Sequence, residues 1–581
     1  MSCSLNVIII VVLSVTWSSL AAPDVRLQSG IARGYDREVS DTGRFYSAYY
    51  GIPFAEPPVG ELRFLTPRPF LGRGPDAVIT SSTFRAACYQ PGLPQERLSE
   101  DCLHLNVFTP PDVDFGPLRK VMVWIHGGGF FIGDASLYLP SKLVTEYDVI
   151  VVTVQYRIGA LGFLSSGDNA LPGNRGLYDQ ILALQWVKDN IRQFAGDPDD
   201  ITIFGESAGS ASVAALSLTP ATKGLFNKAI MQSGTILSPW ALGENPQDQF
   251  YQHARDTGCL PRVYNPWNTL GYHESIVACL KRKSPNEIIN AAEELVYSDP
   301  LTKSIDELPL FAPVVDGILL PRAPASLLSD KAYLQNIGAL DRSYILGVND
   351  NEGLILASQV PKREYGNFTR PSNVASLIKS TVRSYLGWTS IDTLNIVDFL
   401  YTFPRSANGE IPLQNILALN GDMSYNVPTV LFSRALAKAS PSIPIFLYVF
   451  DAEPKLKDLD GPLRGTSHGM DLYYEFDLPP NDLDQLVFFY ADLDPVKFPT
   501  LERAFTSFVT SFAKTGTPST IGISSWPRYD STTESYVALS TQPEVRERMF
   551  EQRTALWTDF LPRMTTASGW FGERSKRAAF N

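Results

Sequence analysis

In the middle of the chain, short β-branched runs alternate with stretches of helical spacing. Residues 120–125 (Lys-Val-Met-Val-Trp-Ile) and 149–154 are compact apolar runs with the length and make-up of strands buried on both faces. Downstream of both, residues 177–194 place Leu177, Ile181, Leu184, Trp186, Val187 and Ile191 at roughly helical spacing. Ile201-Thr-Ile-Phe204 is a third strand signal, and Ser210 to Leu218, small and apolar, supplies a following helix. Two further strand-like runs, 344–348 and 443–450, lie in the second half. This alternation predicts an α/β fold with a central, mostly parallel twisted sheet and helices on both faces.

One apolar run does not belong to that pattern. Residues 7–13 are unbroken aliphatics followed by small residues at Ser19, Ala21 and Ala22, which predicts a secretory signal over residues 1–21 and an extracellular, secreted mature chain. No other stretch approaches the ~20 apolar residues of a membrane span. Removing the signal takes Cys3 with it and leaves Cys88, Cys102, Cys259 and Cys279, an even set that an oxidising compartment would pair. Four cysteines allow three pairings. Cys88 with Cys102 and Cys259 with Cys279 is the short-loop choice, which sequence alone does not establish. Asn367-Phe368-Thr369 is a glycosylation sequon.

Composition narrows the function classes. A 581-residue chain with 44% hydrophobic and 19% charged residues is not a disordered one. Its net charge of −12 argues against nucleic acid or an anionic membrane surface as the main partner.

The chemistry is concentrated where the third strand runs into Gly205-Glu206-Ser207-Ala208-Gly209. Gly-x-Ser-x-Gly is a short pattern that arises by chance, but between a strand and a helix it describes a sharp turn that exposes a strained serine above a sheet. His126-Gly127-Gly128-Gly129-Phe130, at the end of an earlier strand, supplies backbone N–H groups with no side chains in the way. The N–H groups of Gly128, Gly129 and Ala208 are therefore the expected oxyanion donors. A serine hydroxyl needs a base. In the chain order Ser, acid, His the base follows both others, and of the five histidines, His104, His126, His253, His273 and His468, the last stands almost 200 positions beyond the rest. It stands in a glycine-flanked loop, Gly465 to Gly469, whereas His126 is expected to shape the glycine run, and His253 and His273 read as surface histidines. For the acid, residues 344–348 end in Asn349-Asp350-Asn351-Glu352-Gly353, and from the residues alone Asp350 and Glu352 are nearly equal choices.

Taken together, these residues resemble the type-B carboxylesterase and cholinesterase family of α/β-hydrolases over nearly the whole mature chain. The resemblance is carried by Tyr50-Gly-Ile-Pro-Phe-Ala-Glu-Pro-Pro-Val-Gly60 with Arg63-Phe64, Ser99-Glu-Asp-Cys-Leu103 with Asn106, and His126 to Phe130. It continues through Gln155-Tyr-Arg157, Gly205 to Gly209, Gln232-Ser233-Gly234, Pro313-Val-Val-Asp-Gly317, Gly347 to Gly353 and His468-Gly469. It implies an α/β-hydrolase fold with long loop insertions, and a triad of Ser207, His468 and Glu352 rather than Asp350. Glu206 and Ser233 are implied to support the site from behind, Arg63 with Glu100 and Arg157 with Asp179 to form structural ion pairs, and the cysteines to pair as chosen above.

Departures bear on the substrate. Thirteen residues separate Cys88 from Cys102, none of them Trp, so the aromatic face that attracts a quaternary ammonium in cholinesterases is missing. Asp306-Glu-Leu-Pro-Leu310 replaces the aromatics of a cholinesterase acyl pocket. Glu206 stands where juvenile-hormone esterases of the family carry Gln, and the presence of Ser207 departs from the neuroligin-like adhesion relatives. The expectation is a secreted serine carboxylesterase, with a lipase-like or terpenoid-hormone esterase as the alternative and a non-catalytic neuroligin-like binding protein as the remote one. It would consist of one hydrolase domain over residues 22–581 behind the signal, act on a small-molecule ester, and need no metal or organic cofactor. No nucleic acid partner and no membrane span are expected.

Overall fold

The computed structural model describes residues 22–567 apart from 40–41, 112–115, 244, 261–271, 297–310, 360–368, 387–389, 406–408, 410, 453–454, 457–462, 479–490 and 493–495. The signal segment, the Asn367 sequon and the 306–310 stretch lie outside the described residues. A central sheet of eleven strands organises the rest. In chain order they are β1 (Tyr35–Val39), β2 (Arg44–Pro53), β3 (His104–Thr109), β4 (Arg119–Ile125), β5 (Ile150–Val154), β6 (Gly196–Glu206), β7 (Lys228–Gln232), β8 (Ser343–Asn349), β9 (Ile445–Phe450), β10 (Ser535–Leu539) and β11 (Glu544–Glu547). Across the sheet the order is β11-β10-β9-β8-β7-β6-β4-β5-β3-β2-β1. Every neighbouring pair from β10 to β5 is parallel, and the edges β10/β11, β5/β3, β3/β2 and β2/β1 are antiparallel.

The continuous apolar runs are explained by this burial on both faces. In β4, Val121, Val123 and Ile125 point into one core while Met122 and Trp124 point into the other. β9 divides in the same way, with Ile445, Leu447 and Val449 on one side and Phe446, Tyr448 and Phe450 on the other. The first core is closed by α1 (Arg175–Asn190) and α2 (Ala208–Leu218), through Leu177, Leu184, Val187, Ala211 and Val213. The second is closed by α3 (Phe498–Thr515), whose Leu501, Phe505, Phe508, Val509 and Phe512 recur at helical spacing. A third core, separate from the sheet, gathers Leu354, Ile378, Val397, Leu417, Val427 and Trp557.

Boundaries differ from the sequence pattern where the backbone tightens. α1 ends at Asn190 rather than near residue 194, because Ile191–Phe194 winds into a 3₁₀ turn closed by Ala195 in the left-handed region (φ 61°). The pairing of β6 with β4 is interrupted between Gly196 and Ile201, where Pro198 denies the ladder a donor. α2 starts at Ala208, two residues before the apolar run suggests. Among the described residues, no helix is long and apolar enough to cross a membrane. Cys88 is bonded to Cys102 and Cys259 to Cys279.

Candidate active site

Ser207 occupies the single residue between β6 and α2. Its backbone has φ 57° and ψ −122°, a conformation that a residue with a side chain adopts only under constraint. The constraint is visible: its N–H donates to Gln232 O at 2.9 Å, and its carbonyl accepts from Ala211 N–H at 2.9 Å. Flanking glycines make the turn possible. A Cβ on Gly209 would lie 1.9 Å from Ile125 O at the end of β4, so only glycine allows strand and helix to approach this closely.

The glycine run packs against this turn. A Cβ on Gly127 would stand 2.7 Å from Glu206 O and 3.1 Å from Ser207 Cβ. Gly128 O accepts the N–H groups of Phe131 and Ile132, each at 3.0 Å, which closes the loop on itself. His126 stands at the start of the run, its Nδ1 2.9 Å from Gly127 O. Its ring stacks on Tyr156, and its carbonyl accepts the Tyr156 hydroxyl at 2.8 Å.

His468 reaches the site from the loop after β9, held from below by β8. Asp350 Oδ1 accepts Thr466 N–H at 2.6 Å, Asn351 Nδ2 donates to Arg464 O at 2.6 Å, and Thr466 Oγ1 accepts Ala452 N–H at 2.8 Å. The two carboxylates that the sequence left open are thereby separated. Asp350 fastens the loop, whereas Glu352 Oε2 meets His468 Nδ1 at 2.8 Å and its Oε1 accepts Asn349 N–H at 2.7 Å. On the other side of the imidazole, Nε2 is 3.2 Å from Glu206 Oε1, an ion-pair contact next to Ser207 in the chain.

Burial and charge set the protonation of this group. Burial pushes Glu206 up to about 8, against the pull of His468. Burial opposes charge on His468, but Glu206 and the hydrogen-bonded Glu352 more than offset it and hold the imidazole above its ordinary range. Burial also pushes Asp350 up to about 7 and Asp471 up to about 6.

Several site residues were not singled out from the sequence. Asp471 Oδ1 accepts from Asn349 Nδ2 at 3.2 Å, and Gln232 Nε2 donates to both Asp471 Oδ2 (3.1 Å) and Glu475 Oε2 (3.0 Å), so an acidic, fully buried network lies behind the histidine. Tyr425 packs its ring on His468. The HGMD run at residues 468–471 contained a signal for Asp471; Tyr425 had none, being brought in from a distant helix.

Other expectations divide. Arg63 pairs with Glu100 at 2.6 Å and Arg157 with Asp179 at 2.7 Å, all four side chains largely buried. Ser233 is buried with φ 56°, and its N–H donates to Gly347 O at 2.8 Å, while its hydroxyl has no partner among the described residues. His253 and His273 are not surface residues. His253 is fully buried against the ring of Phe311, and burial lowers it to about 4, which keeps it neutral. His273 is held inside by Asp168 at 2.6 Å and Tyr251 at 2.6 Å. Both corrections have one cause: these histidines lie on the inward faces of the helices at 246–256 and 272–282. Among the described residues, no group of three or more His, Cys, Asp or Glu side chains is arranged to hold a metal ion.

A family model described as "Carboxylesterase family" matches residues 21–557. The chain is 32% identical over 534 residues to carboxylesterase 1E of Mus musculus, covering 89% of each chain. It is 33% identical over 567 residues to carboxylesterase 5A of Canis lupus familiaris, covering 94% of this chain and 91% of the relative. It is 34% identical over 579 residues to acetylcholinesterase of Bungarus fasciatus, covering 94% and 87%.

Proposed function

The chain belongs to the carboxylesterase family and is a serine hydrolase acting on carboxylic esters, and we propose that Ser207, His468 and Glu352 are the residues that carry out the hydrolysis. The observation that carries this reading is the position of one imidazole: Nδ1 on Glu352 at 2.8 Å, Nε2 beside the residue that precedes a strained serine. With Nδ1–H donated to Glu352, Nε2 is free to accept the Ser207 proton.

The Ser207 hydroxyl attacks the ester carbonyl as His468 takes its proton. The resulting oxyanion faces the N–H groups of Gly128, Gly129 and Ala208, the last at the N-terminus of α2. His468 then protonates the departing alcohol, and the ester carbon is left as an acyl-enzyme. A water molecule, deprotonated by the same histidine, releases the acid.

Substrates are neutral or cationic small-molecule esters with apolar acyl or alcohol groups, in keeping with the net charge of −12 and with Phe130 and Trp240 packed near Tyr425 and His468. The enzyme is secreted as one hydrolase domain over residues 22–581, its signal spanning residues 1–21. Turnover of a short-chain nitrophenyl ester by purified Ser207→Ala tests the triad. A loss on the order of 10⁴-fold or more is expected, and wild-type turnover would overturn the assignment.

A further inference from the structure

Carboxylates surround the edge of the His468 imidazole: Glu352 is hydrogen-bonded at Nδ1, Glu206 Oε1 lies 3.2 Å from Nε2, and Asp471 acts from behind Asn349. Its face meets something else. The Tyr425 ring lies over it with centroids 4.3 Å apart and planes inclined by 34°. Tyr425 is itself buried, and its ring is tilted against that of Trp240 with centroids 5.9 Å apart.

The way Tyr425 arrives there is unusual. The helix at Leu413–Gly421 continues into that at Val427–Ala439 through one π-helical turn, Asp422–Asn426, and Tyr425 is in that turn. A π turn inserted into a helix shifts the facing of its side chains and is stable only where something holds it. Here Asp422 accepts the Tyr401 hydroxyl at 2.7 Å and Asn426 Nδ2 at 2.8 Å and lies 3.4 Å from Arg553, while the Trp240 indole N–H donates to Ser424 O at 3.1 Å. All of these contacts fix the turn that presents Tyr425.

We propose that Tyr425 is a positioning residue of the ester hydrolysis: its ring face keeps the His468 imidazole in plane between Glu352 and Ser207 and shares the positive charge that His468 gains on taking the Ser207 proton. An imidazolium against an aromatic face in a water-poor site is favoured by the ring quadrupole, whereas a neutral imidazole gains much less from it. Tyr425 therefore acts mainly on the charged stages of the reaction. Burial, then the charges of Glu352 and Glu206, push its phenol well up, so the ring stays neutral.

This inference rests on His468 being the base, and the experiment separates the two. The full chain is prepared as Tyr425→Phe, Tyr425→Leu and His468→Gln, and kcat and KM for a short-chain nitrophenyl ester are measured from pH 5 to 9, with thermal unfolding alongside. Tyr425→Phe keeps the face and should stay within about two-fold of wild type. Tyr425→Leu should lower kcat about ten-fold with KM nearly unchanged, and the acid limb of kcat/KM should move to lower pH because the imidazolium has lost support. Should Leu unfold the protein, Tyr425→Met fills the same space without a π face and takes its place. Wild-type kcat in the Leu or Met variant, a loss with no movement of the acid limb, or an equal loss in Tyr425→Phe would each overturn the proposal. Undiminished turnover by His468→Gln would instead overturn the assignment of the base itself.

Discussion

Glu352 Oε2 and His468 Nδ1 are 2.8 Å apart, while Asp350, two residues earlier on the same strand end, directs its carboxylate to the backbone of Thr466. One turn thus sends two buried acids in different directions, one to the imidazole and one to the loop backbone. Glu352→Gln should lower kcat by about 10³-fold or more, since the amide no longer stabilises the imidazolium and can impose the wrong tautomer. Asp350→Asn keeps an oxygen for the Thr466 N–H and should stay within about three-fold of wild type. Steady-state kinetics on the two variants decide it, and a dead Asp350→Asn beside an active Glu352→Gln would exchange their roles.

Asp350 leads to a second prediction, on stability. Burial raises its folded-state value to about 7 from 3.8. Between those values the folded chain holds a proton that the unfolded chain has released, so this group's contribution falls as pH rises through the window and stays low above it. Asp350→Asn cannot ionise. Its melting temperature should match wild type near pH 4 and exceed it progressively towards pH 8, by the equivalent of on the order of 2 kcal/mol. A gap that shrinks with rising pH would contradict this account.

For Glu206 the sign is also fixed. Its charge is the leading influence raising His468, and the two titrate as a pair. Glu206→Gln leaves a single titrating group with one negative neighbour fewer. The pH at which His468 loses its proton should drop by roughly one unit, and its titration should sharpen. Ring-proton NMR of the resting enzyme follows this directly, and a titration that does not move downward would overturn the account, an unmoved one meaning that Glu206 carries no charge when His468 titrates.

What the sequence disclosed follows from how local each feature is. β4, β5 and β6 were legible because strands buried on both faces must be apolar throughout, and Ser207 because its turn needs glycine within two residues on either side. Glu352 could not be told from Asp350, since what separates them is the backbone of a loop more than a hundred residues away. Tyr425 left no trace at all: it reaches the site on a π turn, whose facing a regular helical period does not describe. His253 and His273 were misplaced because burial of a polar ring depends on partners, such as Phe311 and Asp168, that spacing does not reveal.

The Arg157–Asp179 pair anchors the segment just beyond β5, with Asp179 accepting the Arg157 backbone N–H at 3.0 Å as well as both ends of the guanidinium fork. Neither side chain has water to fall back on. Asp179→Asn strands a buried cation and should cost about 3–5 kcal/mol, read as a lowered midpoint in urea. Replacing both, Arg157→Met with Asp179→Asn, should recover much of that loss because no unpaired charge remains. If the double variant is as unstable as the single one, packing rather than charge governs this site.

The closest link between fold and chemistry is at Gly127, where ordinary backbone angles meet extraordinary proximity. Alanine there is conformationally acceptable, but its methyl would press on Glu206 O at 2.7 Å and Ser207 Cβ at 3.1 Å, so the glycine loop must retreat from Ser207. Gly129 is the converse case, with left-handed φ of 62° and open space where a Cβ would go. Gly127→Ala should therefore lower kcat by about 10²-fold, as for a misplaced oxyanion donor, with a smaller change in stability. Gly129→Ala should lose about 1 kcal/mol to backbone strain while kcat falls only a few-fold. Kinetics and denaturant titration of the pair separate the two costs. If Gly127→Ala retained full kcat, the N–H groups of this loop would not be what meets the oxyanion, because a loop displaced by several tenths of an ångström cannot keep the geometry that such donors require.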